Sequence, residues 1–219
     1  MSSLILFTSG STKEPKEINH NWEYIYQCAK RSIRECNMTK DDVVLDIFPP
    51  NVIAHYTITA LPAQLSGAKL ITSNFDPYVY TKLFNKYRPT IIALIPNHVN
   101  VLNGTKEWHN TDLSCVRYMM MGSQNVPQEM IDDLRKRGVK TVANWYGSTE
   151  NPPPVFVAHN NGIFDFVPRE GYNIRFTEEG ECVINDFYTG DIFDVENHTF
   201  LKRKTQANGT TWKTIPGTI

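Results

Sequence analysis

No apolar run in this sequence approaches the ~18 residues that a membrane span requires, and the opening, Met1 to Phe7, has four consecutive large apolar residues with no basic segment before them. Excess charge of one sign is missing too. Lys and Arg total 22 against 23 Asp and Glu, so the net charge is -1 and the broad positive field of a non-specific nucleic-acid binder is absent. Cysteine is sparse: Cys28, Cys36, Cys115 and Cys182 form neither the close pairs of a zinc site nor the density of a secreted disulfide scaffold, and read as reduced structural thiols. No repeat or low-complexity tract interrupts the chain. With no secretory signal, the sequons at Asn37, Asn103, Asn197 and Asn208 are compositional accidents. The expectation is a cytoplasmic protein with no membrane and no nucleic-acid partner.

What is present is an ordinary globular composition, 41% hydrophobic and 21% charged over 219 residues, enough for a real core. Short apolar runs alternate with stripes spaced by three and four residues. Leu4–Phe7 reads as a strand, Thr8–Lys16 as a polar loop and the stripe from Trp22 to Ile33 as a helix. Strands follow at Val43–Phe48, Lys69–Ile71, Ile91–Ile95, Val116–Met121 and Thr141–Trp145. Between them lie helices at Ile53–Leu65, Pro77–Tyr87, Asn97–Leu102 and Gln128–Arg137. Such alternation predicts an α/β fold, a mostly parallel sheet flanked by helices. At Pro152-Pro153-Pro154 the pattern changes to short alternating segments, Val155–Ala158, Ile163–Val167, Tyr172–Thr177, Glu181–Asn185, Asp191–Val195, Thr199–Lys202 and Thr211–Ile215. These predict a small antiparallel β region. The division expected is residues 1–150, an α/β nucleotide-binding region, and 151–219, a small β subdomain with a short tail.

One loop carries chemistry. Thr8-Ser9-Gly10-Ser11-Thr12-Lys13-Glu14-Pro15-Lys16 combines hydroxyls, a flexible glycine and two lysines, the composition that wraps phosphate oxygens, although it lacks the spacing of a Walker A loop. Taken alone it could equally be a polar surface turn. The stretch resembles the phosphate-loop motif TSGSTGxPKG of the adenylate-forming, AMP-binding superfamily of acyl-CoA synthetases, peptide-synthetase adenylation domains and luciferases. Two more of that family's signatures follow in its order: Tyr146-Gly147-Ser148-Thr149-Glu150 resembles YGxTE, and Tyr188-Thr189-Gly190-Asp191 resembles its TGD motif. Phe48-Pro49-Pro50 through His55 is similar to the segment ending beside the acyl pocket, and Met121-Gly122-Ser123 to the small-residue stretch against the adenine.

The resemblance implies ATP or AMP and Mg²⁺ as cofactors. Thr8, Ser9, Gly10, Ser11, Thr12 and Lys16 would hold the phosphates, with Lys16 and Thr12 acting in catalysis on the charge of the departing pyrophosphate. Glu150 would ligate Mg²⁺, and Asp191 would accept both ribose hydroxyls. Tyr146 would flank the adenine, with Gly122, Ser123, Trp145, Gly147 and Thr149 completing the nucleotide set. His55 and Trp145 would line the substrate pocket, although His55, on a helical stripe, reads equally as a core histidine. His98, at a helix start, reads as structural. Arg203 falls where the family has a ribose-contacting arginine, with Lys202 where glycine is usual.

Two residues depart from the motif, Lys13 and Glu17, both at positions where glycine is common. The family's long segment before the loop and its mobile C-terminal catalytic domain have no counterpart here, so a truncated minimal form is expected, in which only Lys202, Lys204 and Lys213 follow the TGD motif as lysines. The function implied is activation of a carboxylic acid to an acyl-adenylate with release of pyrophosphate. The alternative is a non-catalytic nucleotide-binding module acting through a partner. Expected partners are the small-molecule acid, then CoA, a carrier protein or a protein supplying the missing domain; a homodimer is a further expectation. Transfer to a thiol is the doubtful step.

Overall fold

The computed structural model describes residues 3–8, 16–207 and 211–214. Six strands form the main sheet, in the order β4 (Lys69–Thr72), β3 (Val43–Asp46), β5 (Ile91–Ala93), β6 (Tyr118–Met121), β7 (Val142–Tyr146), β8 (Phe156–His159). All neighbours are parallel except β7 and β8. Side chains alternate between two cores, as a strand's period of two demands. Leu45, Ile92, Met119 and Val142 face α3 (Pro77–Tyr87), α4 (Pro96–Asn103), α5 (Lys106–His109) and α6 (Gln128–Lys136). Val44, Ile91, Met120 and Ala143 face α1 (Trp22–Cys36) and α2 (Ala60–Ser66). This is the doubly covered, mostly parallel sheet that the sequence predicts.

Local chemistry sets the helix ends. The Asn21 side chain accepts from the Tyr24 amide to start α1, and the left-handed Asn37 closes it. Asp76 caps α3 through the Tyr78 and Val79 amides, with Pro77 in the first turn. Among the described residues no helix is long and apolar enough to cross a membrane.

Three expectations are corrected. The Thr8–Lys16 stretch, expected between a strand and a helix, is followed by a strand. Lys16–Asn21 forms β2, antiparallel to β1 (Ser3–Thr8) with Thr8 opposite Lys16, so residues 9–15 join the ends of a hairpin. Leu4 and Leu6 bury one face of it against Ile25 and Ile53. The helix expected from Ile53 opens instead with a π-helical turn, His55–Thr59, before α2. Ile163–Val167 is no strand, because Phe166 has φ 49 and only an isolated bridge joins Phe164 to Ala158.

β8, which the sequence pattern groups with the antiparallel segments, hydrogen-bonds to β7 at the edge of the main sheet. The second sheet is antiparallel, β9 (Ile174–Phe176), β10 (Glu181–Ile184), β11 (Phe187–Asp194), β12 (Thr199–Ala207) and β13 (Thr211–Thr214) in sequential order. An aromatic cluster of Phe156, Phe164, Phe193 and Tyr146 packs β8 and β7 against it.

Candidate nucleotide site

The motif residues of the main sheet leave it at the carboxyl ends of its strands, where open parallel sheets bind ligands. Asp46 ends β3, Met121 ends β6 and Tyr146 ends β7. The 147–153 turn is shaped by its own backbone. Ser148 N–H donates to the Asn151 carbonyl at 2.8 Å and Asn151 N–H to Ser148 Oγ at 3.1 Å. A Cβ on Gly147 would lie 2.6 Å from Pro153 N and 2.8 Å from its Cα, so the close approach that requires glycine here is to the chain itself. Likewise a Cβ on Gly122 would meet the Trp145 carbonyl at 2.8 Å, and Ser123 takes φ 63.

Three separate motifs converge on this turn. From the hairpin, Lys16 Nζ lies 3.9 Å from Glu150 Oε1 and 5.6 Å from the centre of the Phe187 ring. Both partners are reachable, with the Lys16 side chain 58% and the Glu150 side chain 24% exposed. From β7, Tyr146 Oη donates to Asp191 Oδ2 at 2.7 Å. Burial, and then the Asp191 charge, push this phenol well above its ordinary pKa, so it stays protonated and donates. From β12, Arg203 grips both oxygens of Asp191, Nε to Oδ1 at 2.5 Å and Nη2 to Oδ2 at 2.7 Å. Those hydrogen bonds raise the arginine's pKa, and the charge of Glu150 adds to the effect.

The TGD backbone explains how Asp191 is aimed. Gly190 takes φ 75, its N–H donates to Glu181 Oε1 at 3.0 Å, and Asp191 N–H donates to Thr189 Oγ1 at 3.1 Å. Asp191 itself is only 1% exposed. A carboxylate offers about four lone-pair directions. Three are taken by Tyr146 and Arg203, so a vicinal diol can gain both its bonds only if one donor yields. One face of the Tyr146 ring is likewise occupied, by Phe156 at 4.5 Å and 15°.

The remaining predicted residues are placed as follows. Thr8 contributes backbone pairing at the mouth of the hairpin, and Ser9, Gly10, Ser11 and Thr12 lie outside the described residues. Trp145 is 2% exposed in the core beside α1 and α2, its Nε1 donating to Tyr118 Oη at 3.2 Å. His55 sits on the π-helical turn with Nδ1 2.7 Å from Asp46 Oδ2. Thr59 Oγ1 and the Phe48 amide donate to the other Asp46 oxygen, at 2.7 and 3.0 Å. No contact joins His55 to Lys16, Glu150 or Asp191 among the described residues. Lys204 pairs with Glu179 and Glu181 on the second sheet. His98 stacks on Phe75 at 4.1 Å, a packing contact. A groove of about 510 Å³ runs between α4 and α6 past Asn97, Gln124 and Asn125, and none of Lys16, Glu150 and Asp191 lines it.

Motif spacing did not reveal Asp46, the buried partner that orients His55, nor His20, whose Nε2 lies 2.6 Å from the Thr149 carbonyl. An inward polar residue at the end of an apolar strand is the signal for Asp46; period-two alternation of Lys16, Ile18 and His20 is the signal for His20.

The AMP-binding enzyme family model matches residues 2–178, most of the chain. The chain belongs to the AMP-binding enzymes. Among curated relatives, indoleacetate–CoA ligase of Aromatoleum aromaticum is 30% identical over 151 residues, covering 68% of this chain and 29% of that protein. Feruloyl-CoA synthase of an Amycolatopsis species is 27% identical over 178 residues, covering 80% of this chain and 36% of that protein. The chain thus spans about a third of the length of these relatives. Solved structures of like fold include the inhibitor-bound N-terminal domain of FACL13 from Mycobacterium tuberculosis, with TM-score 0.78, 21% identity and coverage of 91% of this chain and 60% of that one. O-succinylbenzoate coenzyme A synthetase from Bacillus subtilis, in complex with ATP and magnesium ion, matches with TM-score 0.76 and 18% identity over 96% of this chain and 52% of that one. At these identities the likeness is one of fold.

The donor set suits the nucleotide and the metal that such a site would take. Among the described residues no group of three His, Cys, Asp or Glu could cage a metal. A cation at Glu150 would therefore complete its shell with water and phosphate oxygens, as Mg²⁺ does by preference.

Proposed function

We propose that this chain binds ATP with Mg²⁺ and activates a carboxylic acid, giving an acyl-adenylate and pyrophosphate. The observation that carries the reading is the convergence of Lys16, Glu150 and the Tyr146–Asp191–Arg203 cluster from three motifs distant in sequence. In this reading a carboxylate oxygen of the acid attacks the α-phosphorus, and the bond from that phosphorus to the bridging oxygen breaks, leaving pyrophosphate. Such a step needs alignment and charge stabilisation more than proton transfer. Lys16 and the hydroxyls of the 8–12 loop would meet the phosphates, and Asp191 with Arg203 the ribose. Glu150 would hold the magnesium, which supplies positive charge to the phosphate oxygens. His55, oriented by Asp46, would face the acid.

The names of the curated relatives favour CoA as the eventual acceptor of the acyl group. ATP-dependent exchange of labelled pyrophosphate, with hydroxamate trapping over a panel of carboxylic acids, tests the first half-reaction. Exchange that depends on one acid class supports it. Nucleotide binding without exchange for any acid favours a binding module that acts through a partner.

A further inference from the structure

The strand that follows the phosphate loop makes a contact that the family motifs do not use. His20, on β2 and buried, has Nε2 2.6 Å from the carbonyl oxygen of Thr149, 129 residues away in sequence. A carbonyl can only accept, so this ring nitrogen carries a hydrogen and donates it. We propose that His20 is a positioning residue for the nucleotide site. Through its Nε2–H it fixes the peptide leading into Glu150 against the hairpin that carries the phosphate loop. The inference rests on the reading of Lys16 and Glu150 as phosphate and metal residues.

Strand geometry supports it. Residues 16 and 20 fall on the same face of β2, and they reach consecutive residues of the turn, His20 to Thr149 and Lys16 to Glu150. The two contacts differ in kind. Lys16 is exposed, Glu150 is half-buried and they lie 3.9 Å apart, a pair that holds little. The His20 bond is short and partly buried, with the His20 side chain itself buried, so the register between hairpin and turn falls to it.

The far end of the turn is held in the same way. Tyr172 Oη donates to the Pro152 carbonyl at 2.5 Å and lies 3.1 Å from Tyr24 Oη. Since Tyr172 has one hydrogen and spends it on Pro152, Tyr24 donates to Tyr172. The Tyr24 ring packs against His20, centroids 5.3 Å apart. Thus His20 of β2 holds the carbonyl of Thr149 and Tyr172, bonded in turn by Tyr24 of α1, holds that of Pro152, on either side of Glu150. A metal carboxylate placed so must lie at a set distance from the phosphates, because misplacement of a charge partner weakens its effect directly.

The test uses the whole chain. Long-range ¹H–¹⁵N correlation of the ¹⁵N-labelled protein should show the His20 ring with hydrogen on Nε2. By calorimetry, His20→Phe should bind the magnesium complex of a non-hydrolysable ATP analogue about tenfold more weakly, the order of one buried hydrogen bond, while AMP affinity stays within about twofold. His20→Gln, whose amide can donate, should recover most of the loss. A ring with its hydrogen on Nδ1 alone, or variants that bind both nucleotides as the wild type does, would overturn the positioning role. Equal loss of both nucleotides in His20→Phe, without recovery in His20→Gln, would also overturn it and mark a purely structural residue. If the wild type binds neither nucleotide, the proposed function fails, and this inference fails with it. If His20→Phe does not fold, the tautomer and His20→Gln still decide.

Discussion

Asp191 and Arg203 are direct cross-strand partners in the register of β11 and β12, and the guanidinium closes over both oxygens of a carboxylate that is itself almost fully buried. The pair therefore stands guard over the acceptor that a ribose would use. Asp191→Asn replaces one oxygen by an amide that faces the arginine donor to donor. Loss of one charge-assisted bond costs about 1.5–3 kcal/mol. Urea titration should show a fall of that order in stability, and calorimetry a fall in AMP affinity of about ten- to a hundredfold. Unchanged AMP affinity would remove Asp191 from the ribose site.

Gly147 gives a sharper steric test. Any side chain there meets the backbone of Pro153 at 2.6 to 2.8 Å, and backbone cannot rotate aside as a side chain can. Gly147→Ala should lose at least the ~1–3 kcal/mol typical of overpacking and displace Glu150 as the turn opens. The check is the urea midpoint together with the magnesium dependence of ATP binding. A variant as stable as the wild type would mean that the turn relaxes without strain.

Some of this was legible beforehand and some was not, for physical reasons. The range Pro77–Tyr87 could be read residue for residue because Asp76 and Pro77 announce a helix start and the apolar stripe continues from them. The apolar runs of β5 and β6 could be read because both faces of those strands are buried. β2 could not. Lys16–Asn21 holds one apolar residue, Ile18, and becomes a strand by pairing with Leu4–Phe7, a partner invisible to local pattern. For β8 the run Phe156-Val157-Ala158 announces a strand but not the sheet it joins. In the site, residues with motif spacing can be read, whereas His20 and Asp46 are single polar groups facing inward and belong to no motif, His20 being marked by strand alternation alone.

Asp42 contributes to the acid dependence of stability, as does Glu35, which His159 and Arg169 also hold at about 2 against burial. Burial would raise the pKa of Asp42, but hydrogen bonds from Arg117, Thr90 and the Thr39 amide, with the arginine's charge, outweigh that and bring it to about 2. Arg117 alone donates to both oxygens, each at 2.7 Å. A carboxyl depressed in the folded state from its ordinary ~3.9 contributes stability that is present above that value and is lost as pH falls toward 2. Stability measured by urea titration should thus decline between roughly pH 4 and pH 2. Asp42→Asn should be less stable at pH 7 by about 2 kcal/mol and flatter across the acid window. An equal acid slope in wild type and variant would assign the pH dependence to other groups.

Lys16 and Glu150 make the last prediction, because their contact separates a ligand role from a structural one. At 3.9 Å, with one side chain more than half exposed, the pair is worth no more than about 1 kcal/mol, so Glu150→Gln and Lys16→Ala should barely move the unfolding midpoint. Their effects on nucleotide should be large and unequal. Only the triphosphate needs a metal and a lysine to offset its charge, whereas AMP presents a single phosphate. Glu150→Gln should therefore abolish the magnesium dependence of ATP binding and pyrophosphate exchange yet leave AMP affinity nearly intact. Lys16→Ala should weaken ATP by about ten- to a hundredfold, the order of a charge-assisted bond, and AMP by much less. Calorimetry of both nucleotides with and without Mg²⁺ reads the two effects apart. If each variant loses ATP and AMP in equal measure, the ion pair serves to shape the turn, and the phosphates must be met by other groups.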